Sequence, residues 1–429
     1  SIITFSSVSL LSSSYAKNLP LREKYKSQMI KREMDYDIEL VNDSYYSEVL
    51  EEYESKGYKA AEDVSIVLTV DDIVDSSEDS IPIEKGIAGL DKPVLVWDED
   101  CEWFEWAFEA PEEGLYQIDV EYYPVPGSGT NIHREIMING EVQCYEAHNI
   151  VFYRLWNDEG KPKINNIGDE VRPRQKEFPR WVTQSIMDSL GFYDEPLLFY
   201  FKKGLNTIRL NMLDQPIAIS SIHIKSPDKI PSYEEVRKQY EEKAYKNAST
   251  THKFQAESNI IEKNDSTIRL ESDSDPATEP ISRGNIKLNI IGAGRWDEPN
   301  QSITWEFDVE EDGLYQIAMR LNQSYADGMP SYRQIMIDGK VPFAEMKSYG
   351  FVYDNKWRME VLQDEEGEPY LFYLEKGTHT LTMTVKMGPL YEIYQALYKD
   401  IIFLSDIISD IYMITGPNPD PNYRYELDK

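Results

Sequence analysis

The sequence predicts an all-β fold built from two tandem antiparallel β-sandwiches of the jelly-roll type, joined by short helical linkers. Three observations support this prediction: a repeat at a fixed long offset, apolar side chains that alternate with polar ones inside the repeats, and Asx-Gly dipeptides between the repeated segments. At 429 residues the chain is long enough for two domains that each bury a core.

An internal repeat organises most of the chain. Residues 106–121 (WAFEAPEEGLYQIDVE) match residues 305–320 (WEFDVEEDGLYQIAMR) at an offset of 199 residues, which also aligns HREIMINGEV at 133 with YRQIMIDGKV at 332. A third block, PLLFYFKKG at 196, matches PYLFYLEKG at 369, so the offset falls to 173 and the first copy carries 26 more residues. Self-similarity at a long fixed offset indicates a duplicated domain.

The repeated segments have the pattern of half-buried strands. Tyr116, Ile118 and Val120 alternate with mostly polar residues, which is typical of antiparallel strands with one face in the core and one in water. Asn139-Gly140 and Asp338-Gly339 lie at matching positions between apolar strands, where such pairs favour a tight type I′ hairpin. We therefore expect several short strands in each copy.

Composition limits the possible partners. The net charge of −33 repels phosphate backbones and anionic lipid surfaces, which argues against nucleic acid as a partner. No run of eighteen apolar residues is present, so we expect no membrane span. The two cysteines, Cys101 and Cys144, could form one disulfide or remain as two buried thiols.

The segments outside the repeats have helical or boundary patterns. Tyr46, Val49, Leu50 and Tyr53 have helical spacing, and the charged stretch after residue 228 predicts a second helix that acts as a semi-rigid spacer. We expect a last strand near residues 400–404. The predicted organisation is a signal remnant and helical lead-in at 1–57, a first sandwich with a long loop insertion at 58–227, a helical spacer at 228–252, a second sandwich at 253–405, and a short helix with a junction to a further domain at 406–429.

The sequence offers little catalytic chemistry. The five histidines are scattered without metal-ligand spacing, and the chain has neither a G-x-S-x-G elbow nor a P-loop. Carboxylates are so abundant that a pair at glycosidase separation would occur by chance, and solvated surface acids are the simpler interpretation. We therefore predict a protein that is not an enzyme and needs no cofactor.

The order of the motifs resembles a known family. The runs WEFDVEEDGLYQI, RQIMIDG and FYLEKGTHT are similar to the galactose-binding-like β-sandwich of carbohydrate-binding modules. More closely, HREIMINGEVQCYEA, GFYDEPLLFYFKKG and IYMITGPNPD resemble the duplicated N-terminal region of large extracellular solute-binding proteins of carbohydrate ABC transporters in Gram-positive bacteria. The resemblance implies a cell-surface lipoprotein or secreted protein, an oligo- or polysaccharide as ligand, and transporter membrane components as partners through a domain after Lys429.

Candidate sugar-binding residues lie in the loops where the two copies differ. Aromatic faces stack on pyranose rings, and Arg, Asn or Asp side chains bond hydroxyls in defined directions. The alternative for each residue is a small core beneath a long loop, or an ion pair with the acidic excess. The candidates are Tyr153, Arg154, Trp156, Arg172, Arg174 and Trp181 in the first copy, and Tyr349, Tyr353, Asp354, Trp357 and Arg358 in the second.

Two further expectations concern charged residues. By resemblance to calcium-dependent modules, Glu257 near an opening strand and Asp400 on the final strand could hold a structural calcium ion in the second copy. Arg134 and Arg333 occupy equivalent positions on the side of the core aliphatics, so each needs a partner, and a backbone clamp or ion pair is favoured over a sugar contact.

The preferred hypothesis is a non-catalytic, extracellular region that binds or presents carbohydrate for a transporter-associated surface protein. One alternative is a purely structural spacer or protein-interaction region of a solute-binding lipoprotein. A second alternative is an accessory module of a glycoside hydrolase.

Overall fold

The computed structural model describes residues 44–325 and 327–419. The expected signal remnant and the last residues of the expected junction lie outside these ranges. The described chain forms strands whose ladders are all antiparallel, which confirms the predicted all-β class. Three α-helices accompany them: α1 (Tyr46–Ser55), α2 (Tyr233–Glu242) and α3 (Leu390–Thr415).

The first unit, residues 46–225, is a two-sheet sandwich. Its strands are β1 (Ser65–Leu68), β2 (Ile73–Ser76), β3 (Ile83–Glu84), β4 (Val94–Trp97), β5 (Trp103–Ala110), β6 (Gly114–Pro124), β7 (Ile132–Ile138), β8 (Ile150–Phe152), β9 (Trp156–Asp158), β10 (Lys163–Ile164), β11 (Glu170–Val171), β12 (Gln175–Glu177), β13 (Val182–Ser185), β14 (Leu198–Phe201), β15 (Gly204–Asp214) and β16 (Ile217–Lys225). One sheet has the order β13-β6-β16-β4-β3, and in it β1 also pairs with β16 and β14 also pairs with β6; the other sheet has the order β2-β5-β15-β7-β8. Trp106, Tyr116 and Tyr122 are nearly inaccessible between the two sheets.

The second unit, residues 233–386, keeps one complete sheet and a divided opposite layer. Its strands are β17 (Ile260–Lys263), β18 (Leu270–Glu271), β19 (Ile290–Ile291), β20 (Ser302–Val309), β21 (Gly313–Tyr315), β22 (Ala318–Gln323), β23 (Ser331–Ile337), β24 (Tyr349–Phe351), β25 (Asp354–Val361), β26 (Phe372–Leu374) and β27 (Gly377–Lys386). The complete sheet includes β17-β20-β27-β23-β24, and the opposite layer consists of the separate pairs β21-β26 and β22-β25. Trp305, Ile335 and Phe343 lie in the core of this unit.

The loop insertion of the first unit contributes two strands to the main sheet of the second unit. Strands β12 and β9 of the insertion extend the main sheet of the second unit, with Trp156 opposite Lys263 where β9 meets β17. The Lys263 ammonium is fully buried and donates to Asp158 Oδ1 at 3.1 Å and to Gln175 Oε1 at 2.7 Å. A buried charge is stable only with such partners, so the insertion fixes the second unit against the first.

A second contact between the units uses a position where the repeat has diverged. Asn300, which stands where the first copy has Cys101, donates its amide to the Asp188 carbonyl at 2.9 Å. Cys101 and Cys144 are both buried and both free thiols in the structure. The loss of the cysteine in the second copy therefore coincides with a polar contact between the units.

Helices α1 and α2 are equivalent parts of the two units. Tyr46 on α1 accepts a hydrogen bond from the Leu198 backbone N–H through its hydroxyl at 2.8 Å, and Tyr233 on α2 accepts one from the Leu371 N–H at 3.0 Å. Tyr233 and Tyr240 pack on the second core, and the α2 residue Val236 is buried there. The interpretation of α2 as a spacer is therefore wrong, because this helix is the opening element of the second unit.

Helix α3 replaces the expected last strand of the second unit. Residues 400–404 lie in the middle of this helix, and its first turns contact the first unit through Lys399, whose ammonium donates to Glu48 at 3.1 Å. Beyond this contact most of its apolar side chains are exposed; Phe403, for example, is 63% accessible. No helix in the described part of the chain combines the length and apolarity that a membrane crossing requires.

The equivalent arginines clamp the chain near the start of β7 and of β23. Arg134 stacks on Trp97 with its guanidinium carbon 4.2 Å from the ring centre, and Arg333 stacks on Trp296 at 4.5 Å. Arg134 donates to the backbone carbonyls of His133, Asp214 and Gln215 at 2.7–2.9 Å. Arg333 likewise donates to the Tyr332 and Trp296 carbonyls at 2.8 Å. Both side chains are therefore bound to backbone carbonyls, as the favoured interpretation of a backbone clamp predicts.

Candidate functional site

The structure brings together a group of polar side chains where β22, β24 and β25 meet, at one end of the second unit. Arg358 on β25 lies opposite Leu321, Glu360 lies opposite Met319, and Asp354 lies opposite Gln323. Directly paired residues share a face of the ladder, and Met319 and Leu321 pack on the core. Arg358 and Glu360 therefore face the space between the sheets, and both charges act on the Tyr349 hydroxyl. We name these three residues, together with Gln323, Tyr353 and Asp354 on the adjoining ends of β22 and β25, the second-unit rim.

A tightly held ion pair forms the base of the second-unit rim. Arg358 donates from Nε to Glu360 Oε2 at 2.9 Å and from Nη2 to the same oxygen at 2.6 Å, and Nη2 also donates to the Val352 carbonyl at 2.7 Å. The two side chains are 19% and 12% accessible. Within the described residues, Arg358 Nη1 is buried and has no hydrogen-bond partner. The guanidinium is thus fixed in orientation and keeps one donor unused.

An unused acceptor and an aromatic ring lie in the same region. Gln323 donates its amide to the Met329 carbonyl at 2.7 Å, while its Oε1 is buried and accepts no hydrogen bond from the described part of the protein. Tyr349 packs its ring against Phe351 at 5.1 Å and accepts a hydrogen bond from the Gln363 N–H at 3.2 Å. Burial, reinforced by the nearby Glu360 carboxylate, raises the pKa of the Tyr349 hydroxyl, so this group stays protonated near neutral pH.

The first unit has uncharged side chains at the equivalent positions. Tyr349 corresponds to Ile150, which is completely buried, and Leu321 corresponds to Tyr122, which is 1% accessible. Arg358 takes the place of Val182, because Val182 faces Tyr122 as Arg358 faces Leu321. The residue in the place of Glu360 is Gln184, whose amide donates to the Val151 carbonyl at 2.7 Å and whose oxygen accepts from the Tyr122 hydroxyl at 3.2 Å. Only the second unit therefore has a charged, half-buried rim.

Most first-copy candidates have structural contacts instead of forming a common site. Arg154 is fully buried and donates to the Thr130 and Val125 carbonyls at 2.7 and 2.8 Å and to Glu177 at 2.6 Å. Burial raises the pKa of Tyr153 to about 12, and Trp156 lies in the strand that joins the units.

The remaining insertion arginines are separate from these residues. Arg172 donates to the Leu270 carbonyl at 2.8 Å and pairs with Glu271, so it links the two units. Arg174 has an exposed side chain on the same insertion. The insertion is thus mainly an interface between the units.

Trp181 and Trp357 occupy equivalent positions on the outer faces of the two units. Each tryptophan directly precedes a residue of the matched pair Val182 and Arg358, and each indole N–H is bonded to a preceding loop: Trp181 to the Ile87 carbonyl at 3.1 Å, Trp357 to Asp273 Oδ2 at 2.8 Å. Trp357 thus lies on the opposite face of β25 from Arg358. Of the second-copy candidates, Tyr349 and Arg358 come together. Tyr353 and Asp354 lie in the chain between them, at the start of β25, and Trp357 lies on the other face of β25.

The structure contradicts the positions in the fold that were expected for the two calcium ligands. Asp400 lies on the exposed surface of α3 and not on a final strand, and Glu257 lies in a turn. Burial raises the pKa of the Glu257 carboxyl. Among residues 44–325 and 327–419, no three His, Cys, Asp or Glu side chains are grouped closely enough to hold a metal ion.

Sequence reasoning missed two members of the second-unit rim. Gln323 lies on β22, outside the divergent loops that supplied the candidates, and Glu360 lies on β25, two residues after the candidate Arg358. The signal for Glu360 was present in RMEV at 358–361, where two charges occupy alternate positions of a strand that is otherwise partly apolar. Gln323 has no signal of its own, because its role depends on the register between β22 and β25.

Comparison with known proteins gives structural neighbours only. No family model matches the sequence, and no curated protein matches it. The chain is similar to a family 35 carbohydrate-binding module from Clostridium thermocellum, with a TM-score of 0.22 and 13% identity over 38% of this chain and 98% of the module. It is also similar to CBM35 from Cellvibrio japonicus Abf62, with a TM-score of 0.23 and 13% identity over 38% of this chain and 95% of that one.

A third neighbour is the Podospora anserina GH26-CBM35 β-(1,4)-mannanase, with a TM-score of 0.22 and 12% identity over 39% of this chain. The matched region spans 29% of the mannanase chain. Because all three TM-scores are low, the proposed function rests on the geometry of the second-unit rim.

Proposed function

We propose that this protein is a non-catalytic carbohydrate-binding region and that its second unit binds a glycan at the second-unit rim. The observation that carries the proposal is the asymmetry between the copies. The shared framework carries uncharged Ile150, Val182 and Gln184 in the first unit where the second unit carries Tyr349, Arg358 and Glu360. A half-buried ion pair costs desolvation energy that uncharged side chains avoid, and the first unit shows that the framework accepts uncharged side chains at these positions.

The residues of the second-unit rim have roles that suit a sugar. Tyr353 and Asp354 are half-buried and lie where the chain passes from β24 into the start of β25. An aromatic ring offers an apolar surface to the C–H face of a pyranose. Asp354 and Glu360 supply acceptors for hydroxyl groups, and Arg358 supplies a fixed, charge-assisted donor.

The test is affinity gel electrophoresis of the whole chain through a panel of polysaccharides. Tyr353→Ala and Arg358→Met should weaken retention on the polymer that slows the wild-type protein, because each removes a contact at the second-unit rim. Matched controls are Tyr412→Ala on α3 and Arg237→Ala on α2, both far from the rim in sequence and exposed. The proposal would be contradicted if all four variants lost retention equally, or if Tyr353→Ala and Arg358→Met lost none.

The wider setting of this proposal is the cell surface. The resemblance of the sequence to the N-terminal region of extracellular solute-binding proteins supports an extracellular protein that works beside a carbohydrate ABC transporter. Surface labelling of intact cells with a membrane-impermeant reagent, with a cytoplasmic protein as control, tests this location. Labelling only after lysis would contradict it.

A second candidate function is a rigid structural spacer. The observation that favours it is the sheet shared between the units, in which β9 and β12 extend the strands of the second unit. A spacer predicts no retention on any polysaccharide, and it predicts the same binding by wild-type and rim variants.

A further inference from the structure

We infer that α3 joins this chain to a second copy of itself as a parallel, two-stranded coiled coil. The inference does not depend on the glycan site, and it concerns the exposed helix that follows the second unit. It depends on the spacing of the apolar residues in α3, on the side of the helix that already has a partner, and on the charges beside the exposed side.

Apolar residues of α3 recur with the spacing of a heptad, whose seven positions are labelled a to g. Isoleucine or tyrosine occupies the a positions and leucine or isoleucine the d positions, and we name these six residues the α3 seam: Tyr394, Leu397, Ile401, Leu404, Ile408 and Ile411. Steps of alternately three and four residues place side chains on one stripe of a helix. Isoleucine at a with leucine at d favours a parallel dimer, so the pattern predicts that state.

The α3 seam lies away from the side of α3 that packs on the first unit. Tyr391 contacts the ring of Tyr193 at 6.3 Å between centroids, and Tyr398 contacts Phe192 at 5.8 Å. Both helix tyrosines occupy heptad position e, beside the stripe that a and d form. Leu397 lies between them in the chain and is still 52% accessible. The α3 seam is therefore open to a partner even where the first unit holds the helix.

The exposed surface is large enough for a stable interface. The six residues of the α3 seam and three isoleucines at g, Ile393, Ile407 and Ile414, are each 38–66% accessible. At roughly 80 Å² for each side chain, they offer about 700 Å² per copy, close to the area that each partner buries in a standard interface. Because removal of apolar surface from water is the main driving force of association, pairing of two α3 seams would be favourable.

The charges beside the α3 seam permit a second copy as the partner. In a parallel coil the side chains at g lie beside those at e of the other helix. Asp400 is the only charged residue at any e or g position of α3, and it would lie beside Ser405 of the second copy. A lipid surface fits less well, because α3 has four acidic residues and one lysine and the chain has a net charge of −33.

Sedimentation equilibrium of the whole chain, from nanomolar to tens of micromolar, measures this association. We expect monomers at the lowest concentrations, where the α3 seam is open to solvent, and twice the monomer mass at the highest. The double variant Leu397→Gln, Leu404→Gln should weaken dimerisation about a hundredfold or more, because four leucines leave each interface. The matched control Phe403→Gln, Met413→Gln changes residues outside the α3 seam that are 63% and 87% accessible, and it should associate like wild type.

Disulfide cross-linking tests the direction of the two helices. In a parallel coil in register, Ile408 lies beside Ile408 of the second copy, so Ile408→Cys should link two chains under mild oxidation. Ser409→Cys, at position b and away from the α3 seam, should not. The wild-type chain should also stay unlinked, since Cys101 and Cys144 are buried.

Four results would overturn the inference. They are a monomer at every concentration, equal association of the two double variants, a dimer in which Ile408→Cys does not link, and binding to a membrane in place of a second copy. The last is measured by co-sedimentation with vesicles of phosphatidylcholine and phosphatidylglycerol. Co-sedimentation that Leu397→Gln, Leu404→Gln abolishes would make lipid the occupant of the α3 seam, and its absence together with a concentration-dependent dimer supports the second copy.

Discussion

Removal of Asp158 should destabilise the whole protein, because this residue belongs to one unit and neutralises a buried charge of the other. Its carboxylate lies 3.1 Å from the Lys263 ammonium, whose side chain has no accessible surface. Truncation of one partner of a buried pair leaves an uncompensated charge, which costs about 3–5 kcal/mol. Gln175 still accepts a hydrogen bond from Lys263 at 2.7 Å in this variant. Asp158→Ala should therefore lower the free energy of unfolding by about 3 kcal/mol, near the lower end of that range.

The assay is equilibrium unfolding in urea, followed both by far-ultraviolet circular dichroism and by tryptophan fluorescence. The wild-type protein should unfold in one transition by both probes, since β9 and β12 make the units share a sheet. The matched control is Glu62→Ala, which removes an ion pair with Lys229 whose side chains are 75% and 82% accessible. An exposed pair contributes about 0–1 kcal/mol. A loss below 1 kcal/mol in Asp158→Ala, or two separate wild-type transitions, would refute a rigid connection between the units.

Two other predictions concern titration and surface chemistry. Burial raises the pKa of the Glu146 carboxyl well above the ordinary glutamate value, to about 7. The folded state therefore binds this proton more tightly than the unfolded state, and stability is lost as the pH rises through this range, by up to about 3 kcal/mol. Glu146→Gln should therefore gain stability relative to wild type between pH 5 and pH 8 in urea unfolding, and a stability difference that does not change with pH would contradict this prediction. Replacement of Ile401 and Ile408 on α3 by Gln should reduce binding of a hydrophobic dye and leave the unfolding midpoint within about 0.5 kcal/mol of wild type; undiminished dye binding would mean that these side chains are covered.

Local patterns in the sequence predicted the sandwich framework well. The alternation around Tyr116 and the Asn139-Gly140 turn are signals within a few residues of each other, and the structure has β6 and a turn at these places. The repeat offset also transfers such assignments from one copy to the other. The fold class depends mainly on these short-range patterns, and it is confirmed.

The extent of the repeat was not recognised, although its signal was present. Tyr46, Val49 and Tyr53 recur as Tyr233, Val236 and Tyr240 with the same spacing. A charged helix was assigned a spacer role because most of its residues are polar. Tertiary packing decided otherwise, since a few apolar contacts on one face are enough to hold a helix on a core.

The prediction of a last strand near residues 400–404 was wrong for a different reason. Residues 400–404 are rich in β-branched and aromatic side chains, which favour a strand locally. The structure continues one helix from Leu390 to Thr415, so the longer periodic context overrides that local preference. The candidate site could be found in part, because Tyr349 and Arg358 are unusual residue types in loops and strand ends. The burial of Arg154 could not be predicted from the sequence, because only the fold places Thr130, Val125 and Glu177 around this side chain.

The central claim, that the second-unit rim binds a glycan, is tested most directly by converting it to the sequence of the first unit. The triple variant Tyr349→Ile, Arg358→Val, Glu360→Gln introduces side chains that the same framework already holds in the other copy. Isothermal titration with the polysaccharide that retains the wild-type protein should show no binding, while the unfolding midpoint stays equal to or above that of wild type. Undiminished affinity in a folded triple variant would contradict the claim.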